Sequence, residues 1–569
     1  MEKKGNFLQR SVPALYRAVV GYIFFLILAA ILYMSAVSTS FVSASEKIYY
    51  LPDSLWANLA VFALVLFLTL TVIKCRSGRF GKLLERIEND GKLFKKIRNT
   101  LLCAVWIALS IWALCTKLPS GGDQITVLDA AYGLAQRDFS ALSPVNYLYD
   151  YNHQIGLAMV EFLLNRVLGE YNFTAYHLIN AALIALTYKS LCDLGAQLKM
   201  SRTKQLALLL LCILFTPFSL YVSFIYGTVP GLLFALIALR LEMRYFDGGE
   251  WYHALLSALS IAFAVLLKSN YQIFMIAMLI YALVEIIRLG KAKKALLILL
   301  VVLFYAAQAK IPISVFAQMR GAGIPTGVSK WAWVTMGLQE GNNAGWYNGY
   351  TLNTLINSSF DTNVQEIWVK EDLRNRIDEF LEDTDYARDF FVRKTASQWN
   401  EPSFESVVIL QGKELGTDLE WPRTLISEQG NYRLSLYLNY LNFAITAGAM
   451  LFLLLCAKDR RYHHWLVLAM TLIGGFVFHM IWEAKGQYTL PYFVLLLPYT
   501  VMGYSKAAEC IAGLPAKFRG GFAVDKKTLI IKLALLLAAI AVLWYVFHGT
   551  LGSLTGDSEA YYAYLAEYR

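Results

Sequence analysis

Apolar residues along this chain form long blocks separated by short polar segments. Each block runs for 18 to 24 residues, close to the roughly 20 that a helix needs to cross a bilayer. Hydrocarbon offers backbone polar groups no hydrogen-bonding partner, so blocks of this kind are expected to be helices. The pattern predicts about thirteen spanning helices, over residues 15–38, 55–74, 99–117, 173–195, 204–224, 228–246, 251–268, 271–288, 294–312, 435–457, 463–482, 487–505 and 529–549.

Two apolar segments allow an interpretation other than a simple membrane-spanning helix. Residues 155–168 form an apolar stretch that carries Glu161 and Arg166. Its length is typical of a helix that lies on the membrane surface or re-enters it. We predict that it lies on the outer surface, because a crossing there would spoil the alternation of the basic loops. The N-terminus, with its basic start and small residues near Ala44, also resembles a signal peptide, but its apolar run is longer than most signal-peptide cores.

Composition supports a membrane protein. Hydrophobic residues make up 57% of the chain and charged residues only 16%, with a mean hydropathy of +0.47. A soluble domain of this size would need far more charge to cover its surface. These proportions exclude an ordinary soluble enzyme.

Basic residues concentrate in alternate loops between the predicted spans. They cluster in residues 3–10, 74–98, 199–204, 240–244, 288–294, 458–461 and 506–527. Basic loops tend to stay in the cytoplasm during insertion, so the alternation predicts a cytoplasmic N-terminus. The segments left outside are 39–54, 118–172, 225–227, 313–434, 483–486 and the tail 550–569. Topology accounts for the formal net charge of +10, and no nucleic-acid partner is expected.

The seven cysteines indicate neither a disulfide framework nor a metal site. All of them fall in predicted spans or inner loops, and no pair has the spacing of metal ligands. We therefore predict packing roles for them and no metal site.

Polar and aromatic residues gather at the outer ends of the predicted spans, whereas mid-span positions are mostly apolar. After the third span, Pro119 and the pair Gly121 and Gly122 interrupt the helix, and Asp123 begins a new amphipathic one. This order puts a carboxylate just above the membrane. A helix cap would by itself explain the residue.

A series of outer motifs then follows in a fixed order. They are Asp123-Gln-Ile-Thr-Val-Leu-Asp-Ala-Ala-Tyr, Tyr151-Asn-His153-Gln154, Phe173-Thr-Ala-Tyr-His-Leu-Ile-Asn, Leu266-Leu-Lys268-Ser and Glu483-Ala-Lys485-Gly-Gln-Tyr488-Thr-Leu-Pro. At this topology the ordered set resembles the GT-C glycosyltransferases, which include protein O-mannosyltransferases and lipid A aminoarabinose transferases. The resemblance covers roughly residues 98–312 and 483–505, whereas the loop 313–434 resembles uncharacterised bacterial members only.

The chain departs from the family pattern at several points. Gln124 stands where relatives often have a second acidic residue, and the prolines of the family's outer "KPP" segment are absent after His153. Two additional spans precede the family's usual first one. These departures bear on donor and acceptor more than on fold.

The resemblance implies an all-α polytopic membrane protein, with a GT-C-like bundle, amphipathic outer-surface helices and one large extracytoplasmic loop domain. Its parts would be a two-span extension with a basic cytoplasmic loop (1–98), a core with an outer catalytic loop 118–172 (99–312), the loop domain (313–434), C-terminal spans (435–549) and an outer tail (550–569). Residues 363–397 of the loop domain have a helical pattern.

The resemblance also implies a reaction. Such an enzyme moves a sugar from a polyprenyl-phosphate donor to a hydroxyl of a glycan, lipid or protein, with inversion, at the extracytoplasmic face of a bacterial plasma membrane. Asp123 would be the catalytic base, and Lys268, Lys485 and Arg320 would meet the donor phosphate. Substrate-binding residues would be His153, Gln154, Tyr151, Glu483, Tyr488, Trp346 and Tyr347. No cofactor is implied, although a divalent metal is compatible with this reaction.

Simpler explanations exist for each group. The cations can snorkel to lipid headgroups, the aromatic residues can form an interfacial belt, and a lone histidine is more often structural. A transporter or flippase of lipid-linked glycans explains the spans as well, but it predicts inverted repeats or charges at the membrane midplane, which the sequence lacks. A polymerase or ligase of surface glycans would share the chemistry and differ in its acceptor.

Overall fold

The computed structural model describes residues 7–75, 78–413, 415–456, 462–513, 526–556 and 558–567. Within these residues the chain forms twenty-five α-helices and one two-stranded sheet. The first half contains α1 (Phe7–Val37), β1 (Ser38–Val42), β2 (Ile48–Pro52), α2 (Leu55–Lys74), α3 (Arg79–Asn89), α4 (Gly91–Thr116), α5 (Asp123–Ala135), α6 (Tyr147–Asp150), α7 (Ile155–Leu168), α8 (Phe173–Gln197), α9 (Arg202–Leu214), α10 (Thr216–Leu220), α11 (Thr228–Phe246), α12 (Trp251–Leu267) and α13 (Gln272–Leu289).

The second half is helical throughout. It contains α14 (Leu296–Arg320), α15 (Lys330–Gly337), α16 (Tyr350–Asn357), α17 (Thr362–Glu382), α18 (Thr384–Trp399), α19 (Glu420–Ile426), α20 (Glu428–Cys456), α21 (Tyr462–Ile481), α22 (Gly486–Val494), α23 (Leu496–Ala512), α24 (Lys526–Thr555) and α25 (Ser558–Glu567). Short 3-10 turns connect several of them, at Ser140–Leu142, Asn152–Gln154, Tyr221–Ser223, Ser269–Tyr271, Ala292–Ala295 and Val408–Leu410.

Nine helical segments among the described residues are long and apolar enough to cross a membrane. They are Phe7–Val37, Leu55–Lys74, Gly91–Thr116, Phe173–Gln197, Ser269–Leu289, Ala292–Arg320, Glu428–Cys456, His463–Ile481 and Leu537–Thr555. Each coincides with a predicted span. The prediction of an all-α polytopic membrane protein is therefore confirmed at this level.

Four predicted spans take other forms. Residues 204–224 become two helices bent by 61°, which give a tenth span if they are counted as one. Helix α11 covers 228–246 but carries Arg240, Glu242 and Arg244. Helix α12 has only 17 residues, and 487–505 is split between α22 and α23 at Leu495. The count of thirteen crossings thus stays a prediction.

A β-hairpin follows the first helix, in a segment for which only an outer loop was predicted. Strands β1 and β2 pair antiparallel, with Ser38 opposite Pro52 and Val42 opposite Ile48. The backbone amide of Ser40 donates to the Asn400 carbonyl at 3.1 Å, and the Asn400 side-chain amide donates to the Ser38 carbonyl at 2.8 Å. The hairpin is therefore joined to the chain that follows α18.

The region 313–434 is helical only in part. The predicted helix 363–397 is present as α17 and α18, which part where Asp383 caps the second helix by accepting from the Tyr386 amide at 2.8 Å. Beyond α18 an irregular segment, residues 400–410, is almost wholly buried. Its Phe404 ring packs 5.1 Å from Phe493 and 5.6 Å from Phe215, so this stretch belongs to the main hydrophobic core rather than to a detached outer domain.

The C-terminal tail also packs against the molecule. Tyr561 of α25 lies with its ring centroid 4.9 Å from that of Phe41 and 5.0 Å from that of Tyr49, on the hairpin. The seven cysteines, all within the described residues, are free thiols; Cys192 and Cys212 are buried, whereas Cys75 and Cys103 are exposed, so the predicted packing role does not hold for those two.

Candidate functional site

Asp123 begins α5 immediately after a sharp break in the chain. Lys117 ends α4 in the left-handed region, with φ 45°, and Gly122 has φ 57° and ψ −141°, a conformation open essentially only to glycine. The cap position is held by Gly122, so Asp123 is the first helical residue. Among the described contacts its carboxylate accepts no amide of its own helix, so the capping explanation does not account for it.

The surroundings of Asp123 are those of a polar recess. Its side chain reaches solvent, yet protein encloses it closely enough for burial to raise its pKa. Opposing this, the positive charge of Lys485, a hydrogen bond from the Tyr147 hydroxyl and the more distant charge of Lys268 lower the pKa, while Glu46 raises it. An accessible carboxylate with a raised pKa is suited to exchanging a proton with a ligand.

Lys268 lies just beyond the end of α12. The ammonium donates to Thr228 Oγ1 at 2.8 Å and lies over the rings of Tyr226 and Tyr488, 5.2 and 5.3 Å from their centroids. The contact with Thr228 depends on Gly227, since a Cβ there would meet the Leu267 carbonyl oxygen. The chain before α11 thereby packs directly on the end of α12.

Lys485 lies in the turn between α21 and α22. Its ammonium donates to Glu46 Oε1 at 2.8 Å, from the tip of the hairpin. Burial lowers the pKa of Lys485, but the carboxylates of Glu405, Glu46 and Glu483 outweigh it and raise the pKa overall. Lys485 is therefore a permanent cation at neutral pH.

The turn that carries Lys485 is held from two sides. The Ala484 amide donates to the Gly345 carbonyl at 2.8 Å, and Lys394 donates to the Trp482 carbonyl at 2.8 Å. Both partners come from the region 313–434, so that region fixes the position of the cation.

Three buried carboxylates complete the polar recess. Glu483 accepts from the Tyr488 hydroxyl at 3.0 Å, and burial raises its pKa to about 7. Glu405 faces the first turn of α22, where Oε1 accepts from the Gln487 amide at 3.4 Å; burial raises its pKa too. Glu401 accepts from the Glu405 amide at 2.7 Å, and its pKa is raised to about 7 by burial.

Aromatic side chains form one wall beside the recess. The Trp333 ring lies 5.7 Å from Tyr151 and 6.0 Å from His153, and it stacks on Trp482 at 6.0 Å. Burial, with a smaller effect of the Lys330 charge, lowers the pKa of His153 to about 4. His153 is nevertheless exposed, and in its neutral form the ring can donate one hydrogen bond and accept another.

Two further predicted residues adjoin this wall. The Gln154 amide donates to the Tyr226 hydroxyl, which links it to the Lys268 end of the recess. The hydroxyls of Tyr151 and Tyr347 lie 3.1 Å apart, and Tyr347 is exposed.

Two of the predicted site residues, Trp346 and Arg320, are not placed where a direct contact with the ligand was expected. Trp346 is buried, and its indole N–H donates to Ser397 Oγ at 3.0 Å, so it supports Lys485, whose ammonium lies 5.6 Å from its ring, rather than presenting a face to solvent. Arg320 donates to the Gly323 carbonyl at 2.9 Å, just beyond the end of its own helix. Among the described residues no contact joins Arg320 to the recess.

Sequence reasoning missed several members of the site. Glu46, Tyr226 and Glu405 were not singled out. Glu46 lies in a short polar turn and Glu405 in an irregular segment, and neither shows a local pattern; only the tertiary fold brings them to Lys485. A polar residue in the three-residue outer link 225–227 was the one signal that could have indicated Tyr226.

The recess combines two accessible carboxylates, Asp123 and Glu46, with two cations, three buried acids and aromatic walls. No group of three or more histidine, cysteine, aspartate or glutamate side chains in the described ranges is arranged to hold a metal ion. Lys268 and Lys485 supply positive charge for an anionic group, and Asp123 can accept a proton. The space beside Lys268 is only about 10 Å³, so a phosphate there would have to displace neighbouring side chains.

Comparison with known proteins adds no family assignment. No protein-family model matches the chain, and no curated protein matches it significantly.

Proposed function

We propose that this protein is an inverting membrane glycosyltransferase that uses a polyprenyl-phosphate sugar donor, as its resemblance to the GT-C enzymes implies. The observation that carries the proposal is the convergence of Asp123, Lys268 and Lys485 on one recess, from three distant parts of the chain. A helix cap and two snorkelling cations would have no reason to meet.

In the proposed reaction, Asp123 acts on the acceptor and the two lysines act on the donor phosphate. An acceptor hydroxyl attacks the anomeric carbon while Asp123 takes its proton, an effect typically worth about 10²–10⁴-fold in rate. The bond from that carbon to the phosphate oxygen breaks on the opposite face, and the phosphate leaves with the electron pair. Lys268 and Lys485 stabilise the negative charge that develops on it. Attack opposite the leaving group inverts the anomeric carbon.

The same convergence supports the predicted orientation of the protein in the membrane. Asp123 follows α4, Lys268 follows α12, Lys485 follows α21 and Glu46 follows α1. All four positions are outer in a thirteen-crossing topology with a cytoplasmic N-terminus, which supports that topology and an extracytoplasmic site. We assign the protein to a bacterial plasma membrane on the same resemblance.

The aromatic wall is proposed to hold sugar rings. Tyr151, His153 and Trp333 present ring faces and edges next to the recess, and Tyr347 adds an exposed hydroxyl. Glu483, Tyr488 and Gln154 would orient the donor headgroup through hydrogen bonds.

A transfer assay in proteoliposomes tests the proposal. Wild type and Asp123→Asn are supplied with labelled polyprenyl-phosphate sugars and an extract of candidate acceptors, and labelled product is measured. Asp129→Asn is the matched control, because its carboxylate lies on the same helix and, among the described residues, accepts a hydrogen bond from Tyr171 alone. We expect transfer by wild type and the control and a loss of about 10²-fold or more in Asp123→Asn.

Two outcomes would contradict the proposal. Equal transfer by wild type and Asp123→Asn would show that Asp123 is not the catalytic base. Movement of donor across the bilayer without any transfer would instead indicate a flippase.

A further inference from the structure

A second polar cavity lies beside the recess and takes no part in the proposed reaction. Its volume is about 620 Å³, and Gln411, Lys413, Arg423 and Glu428 contribute its polar lining. That volume is within the range of about 300–1,000 Å³ typical of small-molecule sites. The space beside Lys268 and Tyr488, by contrast, measures only about 10 Å³.

Several polar atoms of these lining residues are buried without a protein partner. Lys413 Nζ, both side-chain polar atoms of Gln411 and Glu428 Oε2 have no hydrogen-bond partner among the described residues. A buried polar atom left unpaired costs about 1–3 kcal/mol. Four such atoms around one cavity indicate a surface shaped for a ligand.

The charges favour an anion that also carries hydroxyl groups. Burial lowers the pKa of Lys413 to about 8, so its ammonium stays mostly protonated at neutral pH. Arg423 donates to the Thr417 carbonyl at 3.0 Å through one nitrogen and remains largely exposed. Glu428 Oε1 accepts from the Ala44 amide and the Tyr564 hydroxyl, which leaves Oε2 to accept from a ligand. Two cations match a phosphate, while Glu428 and Gln411 match hydroxyl groups.

The cavity lies where two candidate spans end. Helix α4 ends at Thr116, whose carbonyl accepts from the Gly416 amide at 3.0 Å, and α20 begins at Glu428. On the neighbouring α19, Trp421 is 48% and Leu425 37% exposed, and Trp421 packs edge-on against Trp112 of α4 at 5.6 Å. An apolar flank beside a cationic cavity at the membrane boundary fits a lipid, with its tail on the flank and its phosphate inside.

We infer that this cavity binds the headgroup of a lipid phosphate that carries hydroxyl groups, as a site separate from the recess around Asp123. The two sites share no charged residue, although Lys413 Cε lies 3.2 Å from the point that a Cβ on Gly121 would occupy. The inference stands apart from the proposed transfer reaction, and either can fail alone.

Lipid retention by the full-length protein tests the inference. The protein is titrated with phosphatidylglycerol against a phosphatidylcholine background in nanodiscs, and retained lipid is counted by native mass spectrometry. We expect one phosphatidylglycerol bound, weakened about tenfold or more in Lys413→Gln and in Arg423→Gln. Lys413→Arg should retain the lipid, and so should the control Lys370→Gln, whose lysine pairs with Glu366 on the surface.

Other results would overturn the inference. Equal retention by wild type and Arg423→Gln would do so even if Lys413→Gln fails to fold, because Arg423 is largely exposed and tolerates replacement. Inorganic phosphate is titrated separately by calorimetry. Heat that depends on Lys413, without retention of phosphatidylglycerol, would identify a soluble phosphate ligand and exclude the lipid.

Discussion

Lys485 has its charge fixed by the carboxylates around it. Glu46 pairs with it directly at 2.8 Å, and the buried Glu405 and Glu483 raise its pKa. Removing the ammonium would take away the cation that acts most strongly on these two buried acids, a loss that proteins tolerate poorly. The same cation is proposed to meet the donor phosphate, so its replacement should affect both folding and donor use.

Lys485→Gln should lower the free energy of unfolding by about 1–3 kcal/mol and raise the KM for the donor. Thermal denaturation in detergent and initial-rate kinetics measure the two effects. Lys370→Gln, which loses an exposed ion pair and a contact over the Trp331 ring, should change neither appreciably. A Lys485→Gln protein with wild-type stability and wild-type KM would show that the carboxylates do not depend on this cation.

The raised pKa of Asp123 predicts a pH dependence of transfer. A base must be deprotonated to act, so the rate should fall as the pH drops through the pKa of Asp123. Burial raises that pKa above the ordinary aspartate value of about 3.9, and the fall should therefore begin at a higher pH than for an exposed aspartate. A pH–rate profile that stays flat down to about pH 4 would exclude a base with a raised pKa.

At the scale of elements, turns and irregular segments position the side chains of the site, and the helices hold those segments in place. The break at Gly122 sets the direction of α5. The hairpin places Glu46 next to Lys485, and residues 400–410 place Glu405 next to α22. The hairpin and this irregular segment hold each other through Asn400 and Ser40. Positions so far apart in sequence are fixed only when this whole end of the bundle is assembled.

Gly122→Ala tests the turn before α5. Its φ of 57° and ψ of −141° would strain any side chain by about 1–3 kcal/mol, and relief of that strain would shift Asp123. We expect lower transfer activity with donor binding preserved. Gly323→Ala, at a glycine with open space and no positive φ, is the control. Wild-type activity in Gly122→Ala would mean that the turn does not position the base.

At the scale of the whole molecule, the sequence predicted the helices well and their irregular connections poorly. Nine predicted spans are present, and α7 covers the predicted surface segment 155–168, because long apolar periods are local signals. The bend at 204–224, the hairpin and the buried segment 400–410 arise from packing between distant elements, which no local pattern records.

The members of the candidate site were likewise predicted only in part from the sequence. Asp123, Lys268, Lys485, Glu483, Tyr488 and Gln154 meet at one recess. All of them except Gln154, which precedes the predicted surface segment 155–168, lie near a span end that the sequence marked. Arg320 also lies at a span end but turns to Gly323. Proximity to a span end therefore selects candidates without showing which of them converge.

Cysteine labelling tests the predicted sidedness. Asp129→Cys on the exposed face of α5 should react with a membrane-impermeant maleimide in intact cells, whereas Glu85→Cys on α3 should react only after permeabilisation. The exposed native Cys75 and Cys103 are first replaced by serine, so that each signal comes from the introduced cysteine. The opposite labelling pattern would contradict the extracytoplasmic site.

The most direct test of the central claim is a single-turnover measurement on protein preloaded with donor. If Asp123 is the catalytic base, Asp123→Asn should slow the chemical step by about 10²-fold or more and leave the affinity for donor nearly unchanged. A chemical step as fast as that of wild type would contradict the account, as would a loss of rate explained wholly by weaker donor binding.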